Sequence, residues 1–205
     1  MTVSLAELLE RDVPRETQEI LERYCRLLRE ESSRQNLIST STIERLWDRH
    51  ILDSAQLVRF ESRPGASWLD IGSGAGLPGI VIAALISGPI TLVEPRRLRA
   101  DFLARVAEVL RLKNATVECK KAEKVEGRFE MITARAVAPL GRLLGMSTHL
   151  STRNTCWVLP KGRNAQSELA AARQNWHCDA KIVPSRTDPD SGILVLRDVR
   201  RRGRG

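Results

Sequence analysis

The sequence predicts an α/β protein. A mostly parallel sheet with an antiparallel C-terminal edge follows a small helical N-terminal segment. Three observations predict it. From residue 66 onward, short apolar runs alternate with helix-periodic segments, the pattern of a parallel sheet covered on both faces. The last two runs flank Asp188-Pro189-Asp190-Ser191-Gly192, a strong turn signal, so the chain ends in a hairpin. Before residue 66 the apolar spacing is helical.

The elements follow in order. Ile20, Leu21, Tyr24, Leu27 and Leu28 share one face of a first helix, and Pro14 sits near its start, where proline is tolerated. Ser32-Ser33-Arg34-Gln35-Asn36 reads as a polar loop. A second helix follows Thr42 and carries Ile43, Leu46, Trp47, His50, Ile51, Ala55 and Val58 on one face. Arg63-Pro64-Gly65 breaks the pattern and marks a boundary. The chain therefore divides into a helical N-terminal segment, 1–62, and a sheet domain, 63–205, packed as one compact unit. Strands are expected at 67–71, 90–94, 115–119, 129–134 and 154–159. One intervening helix has Leu98, Phe102, Val106, Val109 and Leu110 on its inner face. Lys181-Ile182-Val183 and Ile193–Leu196 form the hairpin. The basic tail 200–205 (Arg-Arg-Arg-Gly-Arg-Gly) reads as disordered.

Composition narrows the function. At 205 residues and 42% apolar content the chain can bury a real core. A net charge of +8 makes a polyanionic partner plausible. Only 4% of residues are aromatic, so no stacking platform for single strands is evident. Cys25, Cys119, Cys156 and Cys178 are far apart, as are His50, His149 and His177. No metal site is expected, and the thiols read as reduced in a cytoplasmic protein. The longest apolar run, around Ile80 to Ile86, is too short to span a bilayer.

The most informative stretch is Trp68-Leu69-Asp70-Ile71-Gly72-Ser73-Gly74-Ala75-Gly76-Leu77-Pro78-Gly79, a buried strand that ends in a glycine turn and opens into a helix. Glycines let backbone approach a ligand closely, and a helix N-terminus attracts a negative group. Glu94 closes the next apolar run, where an acid can accept hydrogen bonds from both ribose hydroxyls. Gly74, Gly76 and Gly79 also satisfy the dinucleotide pattern G-x-G-x-x-G, so NAD is an alternative. Three features favour S-adenosylmethionine. Asp70 precedes the glycines, placed to meet the ligand's ammonium directly or through water. A helical segment comes before the motif. The terminal hairpin leaves no room for a separate dehydrogenase substrate domain.

Further blocks carry a family resemblance. They are Asn36-Leu37, His50-Ile51-Leu52-Asp53-Ser54, the glycine loop with its Leu77-Pro78-Gly79 extension, Glu94 with Phe102-Leu103, Ala122-Glu123, Arg135-Ala136 and Lys161-Gly162. On these the chain resembles the bacterial small-subunit ribosomal RNA methyltransferase family RsmG, also called GidB, which methylates guanine N7 in 16S ribosomal RNA. The resemblance implies a class I S-adenosylmethionine-dependent methyltransferase fold, a Rossmann-like sheet with an antiparallel last strand. It also implies that Gly72, Leu77, Ala122, Glu123 and Arg135 touch the cofactor. The chain departs from the family in an arginine-rich helix (Arg96, Arg97, Arg99, Arg105) and in Ser151-Thr152-Arg153-Asn154-Thr155, where a glycine-containing turn is expected.

The candidate residues then take roles. Gly72, Gly74 and Gly76 form the loop under the methionine part of the cofactor, with Asp70 behind it. Glu94 takes the ribose, and Ala122-Glu123 frame the adenine through backbone groups. Arg135 ends the fourth strand, where it can hold the cofactor carboxylate or an RNA phosphate. Lys161 follows the fifth strand near the expected target-base pocket. Arg135 and Lys161 are the positioning candidates; no nucleophile–base pair is evident. Arg96, Arg97 and Arg99, with Lys161, are candidate RNA contacts. His50 reads as a satisfied core histidine, with Asp53 placed to hold it or to cap a loop. The expected partner is 16S ribosomal RNA within the small subunit or its precursor, and the protein is expected to be a monomer. The alternatives are a non-catalytic ribosome assembly factor that retains the cofactor pocket and an NAD-dependent oxidoreductase.

Overall fold

A computed structural model describes residues 3–203. Seven strands form one sheet in the order β3-β2-β1-β4-β5-β7-β6. They are β1 (Trp68–Ile71), β2 (Ile90–Val93), β3 (Ala115–Glu118), β4 (Met131–Thr133), β5 (Cys156–Lys161), β6 (Trp176–Pro184) and β7 (Gly192–Arg201). The first five pair in parallel, and β7 runs antiparallel between β5 and β6. The expected mostly parallel sheet with an antiparallel C-terminal edge is therefore observed. Chain order reverses at β1, which has β2 on one side and β4 on the other. In open α/β sheets ligands bind outside the carboxyl ends of the strands at such a switch point.

Alternate strand residues divide between two cores, as a period of two requires. Trp68, Ile90, Leu92, Met131, Cys156 and Val158 face one side. Leu69, Ile71, Val93, Ile132, Trp157 and Leu159 face the other. The first face is covered by α5 (Gly79–Leu85), α6 (Arg97–Val109) and the N-terminal helices, the second by α7 (Leu140–Ser147) and α8 (Ala165–Ala172).

The N-terminal segment supplies a continuous part of the first core. It contains α1 (Leu5–Leu9), α2 (Arg15–Gln35), α3 (Thr40–Ile43) and α4 (Leu52–Ala55). Leu21, Tyr24, Leu28, Leu46, Ile51 and Leu52 are buried in the same cluster as Ile80, Phe102 and Leu103. The Tyr24 hydroxyl donates to the Ala75 carbonyl at 2.8 Å, tying α2 to the glycine loop. Burial pushes this phenol well above its ordinary pKa, so it stays a donor.

Several local expectations are corrected. Ser32 to Gln35 lie inside α2, not in a loop. Ser32 returns its hydroxyl to the Leu28 carbonyl, and Glu31, nearly buried, pairs with Arg105 of α6. The helix stops at Asn36, whose φ of 47° is left-handed. The helix after Thr42 is irregular: a π-helical turn (Trp47–Ile51) and a 3-10 turn (Gln56–Phe60) flank α4. Leu98 points outward, 70% exposed at the first turn of α6. Arg200 and Arg201 belong to β7, paired with His177 and Trp176, because the hairpin runs longer than its apolar core. Of the tail expected to be disordered, Arg204 and Gly205 lie outside the described residues. Thr155 makes the turn before β5 without glycine: its hydroxyl donates to the Phe129 carbonyl and accepts from Thr152 N–H.

Tyr24→Phe keeps the ring and removes the bond to Ala75, leaving a buried carbonyl unpaired. Unfolding free energy should fall by about 1–2 kcal/mol. Urea unfolding checks this, and an unchanged midpoint would show that α2 does not brace the loop.

Candidate functional site

The glycine turn between β1 and α5 is shaped by lack of room. Gly72 has a φ of +67°, and a Cβ there would lie 2.7 Å from the Val137 side chain. Gly76 has a φ of +95°, and a Cβ there would meet Ile80 at 2.7 Å and the Tyr24 hydroxyl at 2.9 Å. At Gly79 a Cβ would lie 2.0 Å from Leu92 and 2.5 Å from the Asp70 carboxylate. The turn must fold back over the end of β1, and side chains would hold it off.

Two acids fasten this turn. Asp70 is fully buried beneath it and accepts from Gly79 N–H at 3.1 Å through Oδ2. Its Oδ1 has no hydrogen-bond partner among the described residues. Burial pushes the Asp70 carboxyl up to about 7, against the opposing hydrogen bond from Gly79 N–H; the Ser73 hydroxyl donates to the Asp70 backbone carbonyl. Glu94, at the end of β2, accepts from Gly74 N–H and from Arg96 N–H, each at 2.9 Å. Its two oxygens hold both rims of one opening.

Among the described residues, three cavities open along the carboxyl edge of the sheet. The first, of about 380 Å³, is lined by Gly72, Glu94, Ala122, Glu123, Val137 and the rim arginines Arg96 and Arg99. The second, of about 620 Å³, is lined by Arg135, Val137, Pro139, Lys161, Glu168 and Asp53. The third, of about 400 Å³, lies between the N-terminal segment and the turn from β6 to β7, and is lined by His50, Asp53 and Arg135 among others. Ala136 lines all three, with a left-handed φ of 57°. Non-glycine residues in that conformation cost about 1–3 kcal/mol and persist where surrounding structure over-determines them.

The expected site residues sort accordingly. Gly72, Glu94, Ala122 and Glu123 come together on one cavity wall. Asp70 and Leu77 are buried, and these two residues, with Gly74 and Gly76, stand outside the lining of that cavity; Leu77 packs in the core shared with the N-terminal helices. Arg135 lines the second and third cavities and not the first. It lies 3.4 Å from Asp53, each about 20% exposed. Lys161 ends β5 and is paired at 2.8 Å with Glu168 of α8, which also accepts from Leu140 N–H. Arg97 is exposed and pairs with Asp101.

His50 is not a satisfied core histidine. Asp53 leaves it alone and bonds Gln56, Thr187 and Arg135 instead. Neither ring nitrogen of His50 has a hydrogen-bond partner among the described residues. Sequence reasoning missed Gln56, which is fully buried within 3.0 Å of Asp53, Ser185 and Thr187 and accepts from Arg186 N–H. It also missed Lys121, Arg142 and Met146 around the first cavity and Glu168 beneath the second. A glutamine on an otherwise apolar helix face was the one available signal for Gln56.

Comparison with known proteins adds a family. The GidB family model, described as rRNA small subunit methyltransferase G, matches residues 17–189. The ribosomal RNA small subunit methyltransferase G of Rhizorhabdus wittichii is 46% identical over 201 residues, covering 96% of this chain and 93% of that protein. Its counterpart in Sphingopyxis alaskensis is 48% identical over 177 residues, covering 85% of this chain and 76% of that protein. Among solved structures, a SAM dependent methyltransferase from Aquifex aeolicus superposes with a TM-score of 0.60 at 12% identity, covering 78% of this chain and 98% of that one. The fold is the Rossmann-like class I methyltransferase fold.

The buried Asp70 carboxyl sets a pH dependence. Its folded value of about 7 lies above the ordinary 3.8, so the folded state holds the proton longer. This contribution leaves stability untouched below about pH 4 and lowers it as pH rises toward 7. Asp70→Asn removes the effect. Between pH 5 and pH 8, urea unfolding should move the wild-type-minus-variant difference against the wild type by at least about 1.4 kcal/mol, one pKa unit. A difference independent of pH would mean that Asp70 is ionised throughout.

Proposed function

This chain belongs to the rRNA small subunit methyltransferase G family, GidB, and on that premise we propose that it methylates guanine N7 in bacterial 16S ribosomal RNA. The cofactor is S-adenosylmethionine; family membership sets aside the NAD reading. The observation that carries the proposal is a pair of adjoining cavities separated by Ala136 and Val137, one walled by Glu94 and Gly72, the other bearing Arg135 and Lys161. A donor site and a cationic acceptor site then share a thin wall at the switch point of the sheet.

The residues fit the cofactor. Glu94 is nearly buried, with its carboxylate turned to the cavity rim, where ribose hydroxyls can donate to it. Ala122 and Glu123 line the same cavity and can frame an adenine. The cradle at Gly72 admits no side chain. When bound, S-adenosylmethionine supplies a methyl group on a positively charged sulfur.

The chain's own task is positional. Guanine N7 carries a free lone pair and no proton, so no general base is required of the protein. Bound S-adenosylmethionine would supply the methyl group and its sulfur would keep the electron pair, so the transfer would ask alignment of this chain's residues rather than removal of a proton. Val137 and Ala136, which line both cavities, set the approach between them. Arg135 and Lys161, held by Asp53 and Glu168, hold phosphate or base on the acceptor side. Such alignment can supply about 7–11 kcal/mol of a barrier. Arg96, Arg97 and Arg99 extend the cationic rim, where phosphate contacts add affinity without sequence preference. The protein acts in the cytoplasm as a monomer on the small subunit or its precursor.

Labelled methyl transfer to undermethylated 30S subunits tests the reading, with chemical cleavage at 7-methylguanine to locate the product. One labelled N7 site is the expected result. Cofactor binding without incorporation would instead favour a non-catalytic assembly factor. In the same preparation, Glu94→Ala should weaken S-adenosylmethionine binding by about 1.5–3 kcal/mol, the worth of hydrogen bonds to a charged group. Unchanged affinity by calorimetry would remove Glu94 from the site.

A further inference from the structure

Lys161 and Glu168 meet in the second cavity, 2.8 Å apart, with 12% and 27% of their side chains exposed. Glu168 Oε2 accepts from both the Lys161 ammonium and Leu140 N–H. Its Oε1 accepts no hydrogen bond among the described residues, and the ammonium, which carries three donors, uses one. Charges drawn out of water are costly unless their remaining donors and lone pairs find partners. Two donors and one carboxylate oxygen of this pair remain available to a ligand. The carboxylate is also held in place, since Glu168 comes from α8 and the amide it accepts from belongs to the first residue of α7.

Side by side, an ammonium and a carboxylate present a donor followed by acceptors. The Watson–Crick edge of guanine presents the complement, the O6 acceptor followed by the N1–H and 2-amino donors. Adenine sets an amine against the ammonium and a lone pair against the carboxylate, each facing its own kind. Enzymes that act on one base of a nucleic acid read it along this edge once it has left the stack. Pro139, Pro160 and Ile193 also line the cavity and offer apolar contact to the faces of a ring, while Arg135 is paired with Asp53 at 3.4 Å. The volume of about 620 Å³ lies within the range of small-molecule sites, about 300–1,000 Å³. Engaging the Watson–Crick edge leaves N7, on the other ring, free. Ala136 and Val137 line this cavity and the cofactor cavity alike, so a base held by its far edge has N7 to offer at the shared wall.

We propose that Lys161 and Glu168 together select guanine as the target base: the ammonium donates to O6, and the carboxylate accepts from N1–H and the 2-amino group. The inference rests on the N7 reaction proposed above. It gives Glu168 direct contact with the base, beyond its pairing with Lys161.

The test uses 30S subunits reconstituted with guanine, inosine or adenine at the methylated position. Inosine lacks only the 2-amino group, and all three bases keep N7. Methyl-transfer kcat/KM is measured for wild type, Glu168→Gln and Lys161→Gln, along with S-adenosylmethionine affinity and Tm. Wild type should lose about tenfold on inosine and about a hundredfold on adenine, because a site built on hydrogen bonds rejects a base that leaves them unpaired. In Glu168→Gln the side-chain carbonyl can keep Leu140 N–H while the amide turns a donor to the base. Its inosine loss should shrink below about twofold and its preference for guanine over adenine should fall about tenfold, with cofactor affinity unchanged. Lys161→Gln keeps the carboxylate, so it should retain the inosine loss and narrow only the adenine one. A Glu168 that merely holds Lys161 and α7 would lower activity on all three bases alike, and that result overturns the proposal. Wild type acting equally on guanine and inosine also overturns it. Should Glu168→Gln fall in Tm and cofactor affinity together, Lys161→Gln decides, and an adenine loss as large as that of wild type overturns the proposal. Titration of the protein with guanosine, inosine and adenosine monophosphates needs no methyl transfer. If wild type transfers no methyl group, the reaction is refuted, and a guanosine preference abolished by Glu168→Gln upholds the contact. Absence of that preference then overturns both.

Discussion

The structure depends on one constraint, the space in which the chain must turn back over the end of β1. Asp70 sits at the bottom of that turn, buried, accepting from the amide of Gly79. Side chains are excluded at Gly72 by Val137, at Gly76 by Ile80 and at Gly79 by Leu92 and Asp70 itself. The obstacles come from different places in the chain, so the turn is pressed from the segment after β4, α5, β2 and β1 together. Close approach leaves Gly74 N–H within reach of Glu94, and this bond sets the rim of the first cavity. A turn standing further off would lose that bond and widen the opening.

The N-terminal helices are part of the same device. α2 meets the sheet domain at three polar points in an apolar contact: Tyr24 on the Ala75 carbonyl, Glu31 on Arg105 and Gln35 on the Leu98 carbonyl. Apolar packing is non-directional, whereas these bonds select one rotation and one height of the helix. Further along, Gln56 joins Asp53 to the turn between β6 and β7, and Asp53 in turn holds Arg135. The position of the guanidinium is therefore decided jointly by the N-terminal segment and the C-terminal hairpin. Neither terminal piece bears the glycine motif, yet both shape the acceptor side.

What was legible in the sequence follows from what is local. The strand–turn–helix of residues 68–79 and the acid at the end of the next strand carry their geometry in adjacent residues, and the parallel strands were readable from apolar runs bounded by breakers. The hairpin was visible at its turn, while its full length was not, because Arg200 and Arg201 pair through backbone and carry no apolar signal. The polar run Ser32 to Gln35 read as a loop because partners for Glu31 and Ser32 lie on α6 and on the helix's own previous turn. Leu98 was placed inward on periodicity, yet it sits at the first turn of α6 with 70% of its surface exposed, since periodicity alone does not say where along a helix its cover begins. The acceptor side was least legible. Its residues are paired across 82 positions for Arg135 and Asp53 and across 129 for Gln56 and Ser185, distances at which spacing says nothing.

The uneven distribution of polar satisfaction around Ala136 gives the site its division of labour. On the donor side Glu94 is engaged by backbone amides, so its geometry is set before any ligand arrives. At the second cavity each cation has one acidic partner, Arg135 with Asp53 and Lys161 with Glu168, side chain to side chain rather than side chain to backbone. The ring nitrogens of His50 have no partner among the described residues. A backbone-set wall at the first cavity and a wall of paired side chains at the second suit the proposed reaction, in which the cofactor is one small molecule and the other partner a large RNA. The left-handed backbone of Ala136 lies where the two meet.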